Sequence, residues 1–289
     1  NFNPLEGLSD FDSGMMGMDE IIGSIKKAKQ DDKIKGIKLQ SGFIASGWAQ
    51  AREIRNALKE FKNSGKFIYA YGDYMSQKGY YVSSVADSIF MNPMGMMQLK
   101  GLSSEVLYYE DFQNQYGVKM EVIRHGKYKS AVEPYLQDHM REENRIQIQS
   151  LLNAVWETLR DEVAQSRGLE PATLDTLADD LVVTDAEEAL AQGIIDGLVY
   201  EDDFEDKIKA AMEVDPKEDL KVVDSDKINI QIQEYDNEIS DRIAIVYAQG
   251  PILNTKGSAD IIGKEAINKA FQEILESDKI KAVVLRVDS

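Results

Sequence analysis

Lys129, in the stretch GKYKSAVEPY from Gly126 to Tyr135, is the residue whose type and setting point most directly to chemistry. A lysine amine serves as a general base only when its pKa falls by several units. Burial and a nearby helix N-terminus both do this, because each disfavours the ammonium form. The neighbours offer such means: Gly126 permits a tight turn, Ser130 to Glu133 reads as the first turn of a short helix, and Tyr128, Val132 and Tyr135 can form an apolar wall. Against this stands the ordinary solvated lysine, which Lys127 exemplifies, and local chemistry alone places Lys129 in that class.

Other chemistries find little to work with. The formal net charge of -18 opposes polyphosphate ligands, since each phosphate contact would need a Lys or Arg, so nucleic acid is not expected as a partner. No cysteine occurs, which removes disulfides, thiolate metal sites and a cysteine nucleophile. His125 and His139 stand apart with no pattern of further ligands around them. The acidic run EDDFED lacks the glycine-centred loop that spaces calcium ligands, so it reads as a solvated face. Neither Gly14 to Gly17 nor Gly95 to Gly101 has the context of a phosphate cradle, and no GxSxG elbow is present. No cofactor and no metal are expected.

A placed Lys129 needs a scaffold, and apolar periodicity predicts an α/β one. Helices are expected over Trp48 to Lys62, Ser76 to Ala86, Tyr108 to Tyr116 and Ala186 to Gln192. A longer one over Glu142 to Arg167 carries Leu151, Leu152, Val155, Trp156, Leu159 and Val163 as a core face. Strands are expected at Phe67 to Tyr71 before a Gly72-Asp73 turn, and at Ser88 to Met91 before an Asn92-Pro93 stop. Further strands are expected at Lys119 to Arg124 and Leu181 to Val183, with Gly193 to Val199 returning to the sheet. From Glu201 to Asp241 the chain is acidic and reads as a solvated connector. No apolar run is long enough to span a membrane, and the start at Asn1, without a basic and then apolar region, reads as a trimmed chain with no signal peptide.

An internal repeat organises these elements. IIGSIKKAKQDDKIKGIKL, from Ile21 to Leu39, aligns with INKAFQEILESDKIKAVVL, from Ile267 to Leu285, at an offset of 278 − 32 = 246. DKIK is identical in both, and in each copy an amphipathic helix leads into an apolar strand. The strand RIAIVYAQGPI at Arg242 to Ile252 then has its counterpart at about residue 6 and upstream, and nothing in the second copy corresponds to Phe67 to Tyr200. The expected organisation is a first repeat with a helical arm over 1–200, an acidic connector over 201–241, and an incomplete second repeat over 242–289.

With these residues in view, the chain resembles the signal peptide peptidase A family, also called protease IV, from about Met18 to Ser289. The resemblance is carried by GKYKSAVEPY, by SQKGYYVSSVADSIFMNP from Ser76 to Pro93, by GLVY ending at Tyr200, and by AVVLRVDS at the C-terminus. It implies a ClpP/crotonase-like βαβ spiral, duplicated, with the second copy truncated, and a Ser/Lys endopeptidase that degrades cleaved signal peptides. Lys129 matches the family's general base. Ser289 matches the serine before a Pro-Gly-Gly-Ser whose last residue is the nucleophile, so this chain carries the base and stops short of its partner. The loop Ser41 to Gly47 holds the corresponding place in the first copy without that motif and reads as a degenerate structural loop. The resemblance further implies peptide substrates, a homo-oligomer, and anchoring to the bacterial inner membrane through a segment absent from this chain, with the domain in the periplasm. The alternatives are a catalytically silent crotonase-like module that binds peptides or partners, and an acyl-CoA enzyme of the same broad fold.

Overall fold

A computed structural model describes residues 16–40, 42–123, 125–228, 241–258 and 260–289. Two compact units divide the chain, one reaching to Ile230 and one beginning at Gln231. The opening strand expected near residue 6 lies outside the described residues.

In the first unit, helix α1 (Met18–Gln30) leads into strand β1 (Gly36–Leu39), α2 (Trp48–Lys62) into β2 (Phe67–Met75), and α3 (Gln77–Ser83) into β3 (Ser88–Met97). Helices α4 (Glu110–Tyr116), α5 (Glu142–Arg167), α6 (Pro171–Asp179) and α7 (Ala186–Ala191) precede the short β4 (Gly197–Leu198). The four strands are parallel and lie in chain order, each added beside the one before. This is an α/β fold with a parallel sheet.

Strand alternation sends side chains to opposite faces. Ile68, Ala70, Ile89 and Met91 point into the main core, where they meet Leu58 and Phe61 of α2, Tyr80 of α3, and Leu159 and Val163 of α5. Tyr71 and Phe90 point the other way and are covered by α8 (Glu201–Ala211) through Phe204 and Ile208. The start of the acidic segment is therefore part of the first unit rather than a solvated connector. Its carboxylates occupy one side of a helix whose other side presents Phe204 and Ile208, four residues apart, to the sheet. Burial, with the Asp73 hydrogen bond next, pushes the Tyr71 hydroxyl up to about 12.

Two expected strand ends do not stop their strands. Both β2 and β3 continue, and between the pairs Gly72↔Met91 and Tyr74↔Met96 four residues of β3 face one of β2. Pro93 sits in this bulge, where its missing N–H costs no ladder bond. The Asn92 side chain accepts from the Met94 amide at 2.9 Å. A Cβ on Gly95 would come within 2.8 Å of the Asn92 and Asp73 carbonyl oxygens, so only glycine fits there.

Other expectations fail for want of a partner. Of the strand expected at Lys119 to Arg124, Arg124 lies outside the described residues and 119–123 are not a strand: among the described residues no strand pairs with them, and the Met120 amide donates instead to the Gln113 side chain at 2.9 Å. Leu181 to Val183 follows α6 in a turn with Leu181 at φ 49, and the Val183 carbonyl accepts from the Leu99 amide, just past the end of β3, at 3.2 Å. Along α5 only the second half is core; Leu159 and Val163 are buried while Leu151 is exposed.

A buried guanidinium joins α2, α3 and α5. Arg55 donates to the Tyr81 carbonyl at 3.1 Å, the Glu162 carbonyl at 2.7 Å and Ser166 Oγ at 2.6 Å. Arg52 meets the Glu162 carboxylate at 2.7 Å, and the Tyr81 hydroxyl donates to the same group. Burial opposes ionisation of Glu162, but the Tyr81 and Arg52 hydrogen bonds and the Arg55 charge outweigh it, holding the carboxyl below the usual glutamate range. A depressed carboxyl stabilises the fold above its unfolded pKa and loses that contribution as pH falls through the folded value. Thermal midpoints should therefore drop as the pH falls below the ordinary glutamate range. Glu162→Gln should start lower at neutral pH and fall less steeply in a melting series taken down to about pH 3.

The second unit is a parallel βαβ: β5 (Arg242–Gln249), α9 (Lys264–Leu275) and β6 (Ile280–Asp288). Large apolar side chains along both strands, Ile243, Tyr247, Leu285 and Val287 among them, are exposed. Among the described residues no helix is long and apolar enough to cross a membrane, and no group of three or more His, Asp or Glu could hold a metal ion.

Candidate active site

The lysine segment hangs between α4 and the N-terminus of α5, and both grip it. Gly126 takes a left-handed conformation, φ 98, which opens the turn before Lys129. A 3-10 turn, Glu133–Tyr135, replaces the expected short helix because Pro134 cannot supply the amide that would extend it. The Tyr109 amide donates to the Pro134 carbonyl at 2.8 Å, the Gln113 side chain donates to the Tyr135 carbonyl at 2.9 Å, and the Tyr109 and Tyr135 rings stack with centroids 5.5 Å apart. On the other side Glu133, 1% exposed, accepts from the Arg141 amide and from the Asn144 side chain, each at 2.7 Å.

Lys129 itself is exposed. It borders an open hollow of about 570 Å³ shared with Val122, Ile123, Tyr128 and Val132. The apolar wall expected from its neighbours does not close over it: Tyr128 and Tyr135 are both exposed, and Ile123 is fully so. The physical reason is the 3-10 turn, which directs Glu133 inward and leaves the residues before it on the rim. His125 and His139 are exposed as well, the latter against Asp138 at 2.5 Å.

Of the loop Ser41 to Gly47, Ser41 lies outside the described residues. The rest is held in place: the Lys78 ammonium donates to the Ser46 carbonyl and lies 5.3 Å from the Trp48 ring. The Ser46 hydroxyl donates to the Gly47 carbonyl at 3.3 Å.

Sequence reasoning did not single out Gln113, Glu133 or Asn144. A charged residue between Val132 and Pro134 was the available signal for Glu133, but no spacing rule links it to an asparagine eleven positions on. Beside Glu133 the Tyr108 hydroxyl is buried, and burial followed by the Glu133 charge raises its pKa.

Residues 60–215, more than half of the chain and including the whole lysine segment, match the model of Peptidase family S49. Protease 4 of Haemophilus influenzae is 29% identical over 281 residues, covering 93% of this chain and 46% of the relative. Protease 4 of Salmonella typhi is 28% identical over 279 residues, with 93% and 45% covered. The chloroplastic serine protease SPPA of Arabidopsis thaliana is 29% identical over 290 residues, with 97% and 42% covered. The chain thus spans about half the length of the curated relatives it matches. It belongs to peptidase family S49, within the signal peptide peptidase A (protease IV) group that its lysine motif resembles.

Proposed function

We propose that this chain supplies the lysine of a Ser/Lys peptidase that cuts extended apolar segments, cleaved signal peptides among them, in the bacterial envelope. The observation that carries the reading is the place of GKYKSAVEPY: it lies inside the span matched to the family, on a loop gripped at both flanks with its lysine on the rim of a hollow. Neutral Lys129 would take the proton from a serine hydroxyl as its oxygen bonds to the substrate carbonyl carbon, and the resulting ammonium would protonate the departing amine as the C–N bond breaks. Water would then be activated in the same way to release the acyl group. Backbone N–H groups would hold the oxyanion.

The serine would be, on this reading, the last residue of a Pro-Gly-Gly-Ser of the kind the family resemblance implies, and not Ser289. A base role also requires desolvation that an exposed lysine lacks. That cover would come from a neighbouring subunit of a homo-oligomer. A duplicated ClpP/crotonase-like spiral is supported by element boundaries as well as by sequence: α1 begins at Met18 and α9 at Lys264, a spacing of 264 − 18 = 246, the offset of the repeat. Membrane attachment would use a segment outside this chain. Substrate would bind as an added strand along a groove edge.

The exposure of Lys129 also favours a second reading, a silent module that holds peptides without cutting them. A serine-directed fluorophosphonate separates the two in the natural full-length protein. Labelling together with cleavage of an apolar fluorogenic peptide is expected. Peptide binding with neither labelling nor turnover would assign the protein to the silent class.

A further inference from the structure

We infer that Glu133 is a positioning residue for Lys129, fixing the backbone that presents the amine; this rests on the reading of Lys129 as the base. Burying a carboxylate is costly unless its oxygens are bonded, so a carboxylate at 1% exposure has been placed where its bonds matter. Both oxygens are used, one on the Arg141 amide and one on the Asn144 side-chain amide. Both donors belong to the start of α5, a helix of 26 residues whose N-terminal dipole favours a negative group there. The Glu133 amide in turn donates to the Ser130 carbonyl at 2.9 Å, which closes the turn directly after Lys129. A continuous path therefore runs from a rigid helix through one side chain to the residue bonded to the lysine. The residues from His125 to Lys129 have no helix or strand of their own to hold them.

An arrangement that orients a base without holding the substrate should, when lost, lower kcat and spare KM. Loosening a reacting group by about an ångström costs up to about 100-fold in rate. In the natural full-length protein, Glu133→Ala should lower kcat on an apolar fluorogenic peptide about 10- to 100-fold, with KM held within about twofold. Glu133→Gln should recover most of that loss: its oxygen can still accept from the Arg141 amide, and its NH₂ can donate to Asn144 once that amide is turned over. Asn144→Ala removes one donor and should give a smaller loss of the same kind.

Amide hydrogen exchange of this chain supplies a readout independent of turnover. Glu133→Ala should speed exchange over residues 127–132 by at least about tenfold while the core strands stay protected. Unchanged exchange in that segment would overturn the proposal. So would a fall of kcat and melting temperature together with a rise of KM and no rescue by glutamine, which marks a merely structural role. Retained turnover in Lys129→Ala would defeat the base reading alone, and the exchange result would still decide whether Glu133 holds the loop.

Discussion

Lys129→Ala should reduce kcat for peptide cleavage by about 10³-fold in the natural full-length protein, the middle of the range for loss of a general base. Because the residue is exposed, truncating it opens no cavity, and the melting temperature should move by no more than a surface substitution moves it. Substrate affinity should be nearly unchanged, since the amine is asked to act on the serine proton and not on the peptide. Lys129→Arg is the sharper variant. It keeps the positive charge and the length, but a guanidinium does not give up its proton in proteins, so it cannot act as base. Equal inactivity of the two variants identifies proton transfer as the lost function. Activity retained by arginine would reduce Lys129 to a charged surface group, and steady-state rates on one fluorogenic peptide decide the matter.

Phe204→Ala should destabilise the first unit by about 3–5 kcal/mol, the usual cost of emptying a buried phenylalanine site. Phe204 is 0% exposed, stacks on Tyr71 with centroids 5.0 Å apart and meets Phe90 at 5.8 Å. The Lys38 ammonium lies 5.7 Å from its ring, and two carboxylates of α8 reach the same lysine, Glu201 at 3.5 Å and Glu205 at 3.6 Å. For a unit of this size the melting temperature should fall by about 10 °C. An exposed residue of the same helix provides the control, because Asp202→Ala should stay within about 0.5 kcal/mol of the parent. If residues 201–211 were a solvated connector, the two substitutions would be indistinguishable in a thermal melt.

The helices were the most legible part of the fold. Trp48–Lys62 and Glu142–Arg167 have the limits that apolar spacing predicts, because an amphipathic helix writes its own period into consecutive residues. Strands were legible where they are buried and misread where a partner decides. In the strand expected at Lys119 to Arg124, residues 119–123 have no ladder to join among the described residues, whereas β3 passes Pro93 because β2 tolerates a bulge against it. The acidic run over α8 hid a helix face, since the charges dominate composition while two residues, Phe204 and Ile208, make the contact.

By itself the sequence determined the α/β class and a lysine segment specific enough to indicate the family. Those properties are local: each is a pattern of neighbours along the chain. Only the tertiary structure decided that Lys129 stands exposed, that Glu133 is turned inward onto Arg141 and Asn144, and that the acidic helix belongs to the sheet. Burial and hydrogen-bond partners depend on which distant residues fill the space around a group, and one-dimensional order does not carry that information.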